Sequence, residues 1–201
     1  MNWRNLVSLK IFLWSAAIII VIGVSVNLAR QYLASPNAIK AGLSPKMIGV
    51  GSKKVKKLTS INLIDDEGMQ LGSSSFQGKW HLVLLGFTSC PDVCPFTLAN
   101  LSAVHDKISE HAVPKDIPTV LLISVDPNRD KIADLRNYVR HFNPTFRAAT
   151  GTKEMIDQFV KGIGGFYEFG PKKDDNTYRV NHSAEVFVVD PLGHVVESLN
   201  P

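Results

Sequence analysis

Cysteine and, over the first third of the chain, acidic residues are scarce in this sequence. Only two cysteines occur among 201 residues, and the first 64 positions contain no Asp or Glu. Two cysteines exclude a disulfide-rich scaffold, which needs several bridges to replace a hydrophobic core. Charged residues make up 20% of the chain and hydrophobic residues 45%, a balance that excludes an intrinsically disordered protein.

The charges are divided unevenly along the chain. All 18 acidic residues but only 13 of the 22 basic ones follow Ile64, so this part carries a net charge of −5. The sequence pI of about 9.1 therefore reflects the N-terminal portion. A nucleic-acid-binding module would carry its basic surface on the folded part, so nucleic acid is excluded as a partner. The acidic portion predicts a protein partner with a basic face.

A long uncharged run occupies residues 11–29, between Lys10 and Arg30. At about 1.5 Å per helical residue, a run of this length nearly crosses the hydrocarbon core of a bilayer. We predict a short tail over 1–10 and a transmembrane anchor over 11–29. The alternative is a cleaved signal peptide, which would need a shorter apolar core and a small-x-small cleavage site that the following residues match poorly.

Residues 30–57 predict a tether, because proline and glycine recur there and a basic run, Lys53–Lys57, closes the segment. Strand and helix signals then alternate over 58–201. The predicted elements are hairpins over 58–71 and 186–198, buried strands at His81–Phe87 and Thr119–Val125, and helices at Pro95–Ile108, Lys131–Phe142 and after Thr152. This order predicts an α/β domain with a thioredoxin-like fold, in which helices flank a mixed central sheet preceded by an extra N-terminal β-hairpin.

Both cysteines lie in one short segment, Cys90-Pro91-Asp92-Val93-Cys94-Pro95, between a predicted buried strand and a helix. Pro95 suits the first helical turn, so we expect Cys94 at a helix N-terminus, where backbone donors stabilise a thiolate. Thioredoxin folds carry out their chemistry in this loop, which favours a reactive or metal-binding pair over structural cysteines. The spacing leaves room for an ion and still permits a disulfide, and thiolates suit Cu(I). Structural zinc would want four protein ligands.

A third ligand would have to be one of six histidines. His182 lies in a loop leading into the closing hairpin, and we expect that loop at the same end of the sheet as the cysteines. Its position alone favours neither of two roles for His182, that of a metal ligand and that of a hydrogen-bonded loop residue. The other histidines are predicted at a strand start, on helix surfaces or beside turns: His81, His105, His111, His141 and His194.

Three ordered motifs resemble the Sco/SenC family: residues 90–95, residues 124–130, and residues 178–183 followed by 189–193. The similarity extends from about Val55 to Leu199. It implies an N-terminal anchor, a tether and a thioredoxin-like domain outside the cytoplasm, with Cys90, Cys94 and His182 as copper ligands. Two departures are Asn181, where Asp is common, and the end of the sequence at Pro201, where thioredoxin folds normally add a helix.

The resemblance implies a membrane-anchored copper metallochaperone that assists assembly of the dinuclear copper centre (Cu-A) of cytochrome c oxidase. Its partners would be the copper-bearing oxidase subunit and other copper-delivery or thiol-redox proteins. We expect a single-pass protein of the inner (cytoplasmic) membrane with a periplasmic domain. The rival hypothesis is an enzyme, a thiol–disulfide reductase that keeps the oxidase cysteines reduced, with Cys90 and Cys94 as the redox-active pair. A redox or copper sensor is a third hypothesis.

Asp126 follows the second predicted buried strand, at the sheet end where the site is expected. It could tune a metal or contact a partner. The simpler interpretation is that it caps the next helix through its Asp-Pro turn.

The anchor gives a prediction about topology. A reporter enzyme that is active only outside the cytoplasm, fused to the C-terminus, should be active, because residues 11–29 would hold the domain on that side. A reporter active only in the cytoplasm is the matched control. A silent first fusion together with an active second one would contradict the prediction.

Overall fold

The computed structural model describes residues 23–25, 55–59, 61–174 and 177–200. Residues 23–25 are helical and belong to a unit spanning Met1–Gly49, whereas the other described residues belong to a second unit, Val50–Pro201. Apart from residues 23–25, the predicted anchor falls outside the described residues, as does most of the predicted tether. Among those that are described, no helix combines the length and hydropathy needed to cross a membrane.

An eight-stranded mixed sheet forms the centre of the second unit, in the order β1-β10-β9-β4-β5-β6-β2-β3, and β7 and β8 pair separately. The strands are β1 (Lys56–Lys57), β2 (Asn62–Asp65), β3 (Gln70–Gly72), β4 (His81–Gly86), β5 (Thr119–Ser124), β6 (Arg147–Thr150), β7 (Tyr167–Phe169), β8 (Val180–His182), β9 (Val186–Val189) and β10 (His194–Leu199). Strands β4, β5 and β6 run parallel, while β9 runs antiparallel to β4.

Three α-helices flank this sheet: α1 (Val93–His111), α2 (Ile132–Phe142) and α3 (Lys153–Ile163). Apolar residues of α1 and α2 pack on one sheet face around Leu84 and Leu122. The apolar stripe of α3 packs on the other face, against Val83, Leu85 and Ile123. Neighbouring residues of β4 thus face opposite cores, which explains why all four residues from Leu82 to Leu85 are apolar.

The α/β class, the flanking helices and the two central strands agree with the sequence-based predictions. Four strands are additional: β6 in the main sheet, β7 and β8 beside it, and β1, whose two lysines end the predicted tether and pair with β10. Helix α3 begins as predicted, with the Thr152 hydroxyl accepting a hydrogen bond from the Met155 amide.

Sheet direction brings three chain segments together. Since β4 and β5 are parallel, the loops that follow Gly86 and Ser124 leave the sheet at the same edge. Strand β9 enters the sheet at that edge, because Val186 opposes Leu84 in the antiparallel pair β4–β9. The cysteine loop, the turn after β5 and the segment preceding β9 therefore meet.

Candidate metal centre

The two cysteines occupy different environments in the β4–α1 connection. Cys90 lies in the loop and is half-buried, whereas only 2% of Cys94 is exposed. Helix α1 begins at Val93, two residues earlier than predicted, so Cys94 lies within its first turn. Pro95 is accommodated there because the first turn of a helix has no intrahelical partner for its N–H groups.

His182 ends β8, and its neighbouring backbone fixes its tautomer. Its Nδ1 lies 2.9 Å from the carbonyl oxygen of Ser183. A carbonyl can only accept, so Nδ1 carries the hydrogen and the lone pair is on Nε2. Burial lowers the pKa of His182, although the Ser183 carbonyl opposes this shift, and the ring is neutral at pH 7.

The three side chains converge on one point. His182 Nε2 lies 3.5 Å from Cys94 Sγ and 4.0 Å from Cys90 Sγ, and all three donor atoms fall within 4.8 Å of one another. Metal bonds of about 2.3 Å to sulfur and 2.1 Å to nitrogen, at angles near 110–120°, would separate donors by about 3.6–4.0 Å. The donor set and its spacing therefore fit one ion that prefers soft ligands.

The expectation that the helix terminus holds Cys94 as a thiolate is wrong. Burial is the largest influence on this thiol, and it raises the pKa of Cys94 far above its ordinary value, with the neighbouring Cys90 adding to the shift. Desolvation disfavours the charged form more strongly than the backbone donors of the first turn favour it. Without a bound cation, Cys94 is a protonated thiol.

Gly86 makes room for the buried sulfur. A Cβ at this position would lie 2.7 Å from Cys94 Sγ and 2.9 Å from Leu122 Cδ1, well inside normal contact distances. The absence of a side chain at the end of β4 thus sets how deeply Cys94 can sit.

A buried carboxylate, Asp130, holds the cysteine loop in place. Its side chain is 2% exposed and accepts hydrogen bonds from Thr88 Oγ1 at 2.6 Å, the Thr88 amide at 3.1 Å and Ser124 Oγ at 2.6 Å. Thr88 starts the loop and Ser124 ends β5. The carboxylate therefore ties the cysteine loop to the central sheet.

A second buried carboxylate, Asp126, reaches the segment that carries the histidine. It accepts hydrogen bonds from Arg129 Nε and, at 2.7 Å, from the Tyr178 hydroxyl two residues before β8. Burial and the Asp126 hydrogen bond raise the pKa of Tyr178, which keeps the phenol protonated as a donor. The interpretation of Asp126 as a helix cap is wrong, because α2 has Lys131 at its N-cap and no side-chain cap.

Aromatic rings also hold the side chains around His182 in place. The Arg129 guanidinium lies 4.1 Å from the Tyr178 ring centroid and 5.2 Å from that of Phe87. Phe87 in turn meets the His182 ring edge-to-face at 5.9 Å. Arg129 and Tyr178 lie in the motifs at residues 124–130 and 178–183, but no pattern in the sequence assigns these two residues, Phe87 or Thr88 a role in supporting the site.

The other five histidines lie apart from this cluster. His111 and His141 are exposed, as expected for a helix end and a helix surface. The prediction of a surface position for His105 is wrong, because it is buried against Phe146 with Nε2 3.5 Å from Thr145 Oγ1. The remaining two bond locally, His81 to the Lys79 carbonyl and His194 to Asp190.

A strand, a cysteine-bearing loop and a helix at one end of a mixed sheet, with a histidine facing both sulfurs, define a thioredoxin-like domain with a candidate Cys₂His metal site. The family described as SCO1/SenC matches residues 52–201. The chain belongs to this family.

Three known proteins illustrate the relationship. The human "Protein SCO1 homolog, mitochondrial" is 35% identical over 136 residues, which is 68% of this chain and 45% of that protein. The crystal structure of Arabidopsis thaliana ScoI with copper bound has a TM-score of 0.63 at 32% identity, covering 70% of this chain and 88% of that one. The crystal structure of yeast Sco1 with copper bound has a TM-score of 0.65 at 29% identity, covering 72% of this chain and 80% of that one. The chain spans about half the length of the first curated relatives it matches.

The unequal burial of the two sulfurs predicts unequal reactivity. In a Cys94→Ser variant the remaining Cys90 should be alkylated about tenfold or more faster than Cys94 in a Cys90→Ser variant, because a buried, protonated thiol is a poor nucleophile. Mass spectrometry at timed intervals gives both rates. Unfolding in urea is the control and should equalise them, and equal rates in the folded proteins would contradict the asymmetry.

The close approach of Gly86 to Cys94 predicts a penalty for any side chain. Gly86→Ala should lower the free energy of unfolding by about 1–3 kcal/mol through overpacking, as measured by denaturant titration. Gly162→Ala within α3 is the matched control, because its Cβ would meet only Leu58 Cδ2 at 3.8 Å. Equal stability of the two variants would show that the sulfur can move aside freely.

Proposed function

We propose that this protein is a copper metallochaperone that binds one copper ion through Cys90, Cys94 and His182 and assists assembly of the Cu-A centre of cytochrome c oxidase. The observation that carries the proposal is the convergence of two sulfurs and a neutral imidazole nitrogen within 4.8 Å. Copper-bound structures of family members with the same fold support the choice of metal.

The chemistry of the site suits a cargo ion better than a permanent one. Two thiolates and an imidazole supply the soft, low-coordinate environment that Cu(I) accepts, and a nitrogen donor also serves Cu(II). Cys94 is enclosed and would retain the ion, whereas Cys90 and His182 line an open cleft where an acceptor's ligands could replace them. Binding through Cys94 requires loss of its proton, so loading and proton release are coupled.

The proposal includes a membrane location. Residues 1–10 form a tail, 11–29 a single-pass anchor in the inner membrane, 30–57 a tether, and 58–201 the copper-binding domain on the periplasmic side. The partners are the copper-bearing oxidase subunit and other copper-delivery or thiol-redox proteins. The uncharged run at 11–29 and the family's implied arrangement support this part of the proposal.

A thiol–disulfide reductase is the second candidate function. Both cysteines are free, and one of them faces a cleft from which a substrate disulfide could be attacked. Such an enzyme would use Cys90 and Cys94 alone, since dithiol exchange needs no third ligand. His182 therefore distinguishes the two functions.

His182→Ala should weaken copper retention by about tenfold or more, with the larger loss for Cu(II), because the site loses its only nitrogen donor. Reduction of a disulfide by the dithiol should continue. Copper bound per protein and oxidase assembly in cells carrying only this variant are measured together. His141→Ala, on an exposed helix face, is the matched control and should change neither quantity.

The two measurements separate the candidates. Loss of both copper and oxidase assembly supports the metallochaperone. Intact assembly despite lost copper would favour the reductase, and unchanged copper binding would refute the ligand assignment.

A further inference from the structure

An open cleft of about 650 Å³ lies beside Cys90. One wall is the cysteine loop from Ser89 to Val93, and the other is formed by β8 and the residues that precede it. Cys90 and His182 line this cleft, whereas the buried Cys94 does not. Its volume falls within the range of about 300–1,000 Å³ that is typical of ligand-binding pockets.

The lining of this cleft is basic, in contrast to the domain as a whole. Among the described residues that line it are three cationic side chains, Arg129, Lys173 and Arg179, and one carboxylate, Asp92. Arg129 is committed to the buried Asp126. Lys173 and Arg179 are exposed, and neither forms an ion pair with another residue that the structure describes.

Two cations that form no ion pair within the described part of the chain lie in the same cleft as the Cys90 sulfur, and together they favour ligands that combine negative charge with a thiol. We propose that the cleft binds an acidic, cysteine-bearing segment of a partner protein, whose carboxylates pair with Lys173 and Arg179 while its sulfur reaches Cys90. This proposal rests on the proposed function only in placing the partner at the same sulfur. The net charge of the domain predicts a partner with a basic face, whereas the basic lining of this cleft favours an acidic segment next to Cys90.

Electrostatic recognition of this kind acts mainly on the rate of encounter. Opposite charges steer a ligand toward the cleft before contact, and salt screens them. Exchange at Cys90 should therefore be fastest for acidic segments and should lose this preference as the ionic strength rises.

Copper-free thiol exchange tests the proposal on the full-length chain in neutral detergent. Three peptides carry one cysteine flanked by two glutamates, two glutamines or two lysines, each activated as a 2-thiopyridyl disulfide. The Cys90 thiolate attacks the peptide sulfur and forms a mixed disulfide. The peptide sulfur–pyridyl sulfur bond breaks, its electron pair leaves with 2-thiopyridine, and a solvent proton yields the absorbing thione.

The acidic peptide should react about tenfold faster than the basic one at about 0.01 M salt, and the ratio should fall to about twofold near 1 M salt. Lys173→Ser and Arg179→Ser should each reduce the low-salt ratio about threefold, with little change for the glutamine peptide. Lys107→Ser is the matched control, because it removes an equal charge about 20 Å farther along α1 from Cys94. It should leave the ratio unchanged.

Equal rates for the three peptides would overturn the proposal. So would a preference that survives both cleft variants, or one that Lys107→Ser reduces equally, since overall charge would then be responsible. Copper stoichiometry, measured separately on the same preparations, tests the proposed function. A protein that binds no copper but prefers acidic peptides would refute the proposed function and support the cleft proposal. A protein that binds copper but shows no preference would do the opposite.

Discussion

A single turn after strand β5 holds both parts of the candidate metal centre, the cysteine loop and the segment that leads to His182. Its two carboxylates are almost fully enclosed, Asp126 at 0% and Asp130 at 2% exposure. Asp130 binds the start of the cysteine loop, while Asp126 binds the segment leading to the histidine. Leaving a buried polar group without its hydrogen-bond partner typically costs about 1–3 kcal/mol, and more when the group is charged, so these contacts restrict the position of both loops. The geometry of the donors depends on the turn more than on the loops themselves.

Much of the fold could be predicted because the relevant signals are local. The apolar runs of β4 and β5 and the amphipathic stripe of α3 each indicate their own structure. Strand β6 could not be found this way, since its centre is Ala148-Ala149 and it becomes a strand by pairing with β5 and β2. Strands β7 and β8 are three residues each and stabilise one another, so neither has a sufficient pattern alone.

The site shows where sequence reasoning reaches its limit. The ligand candidates could be named because two cysteines share one loop and the family resemblance indicates His182. The protonation state of Cys94 could not be predicted, because burial by residues distant in the sequence raises its pKa more than the local helix terminus lowers it. The predicted surface position of His105 is wrong for a similar reason. Residues 143–146 cover a face of helix α1 that the sequence of the helix alone suggests is exposed.

Gly86 has a consequence for how this site can vary among related proteins. Its missing Cβ and the sulfur of Cys94 occupy the same space, so the two positions should change together. A smaller residue in place of the buried cysteine removes the closer of the two contacts that exclude a side chain at Gly86, and only the flexible Leu122 Cδ1 then has to move. A residue larger than glycine at the end of β4 is therefore hard to combine with a buried sulfur at position 94, and the two positions constrain one another during evolution.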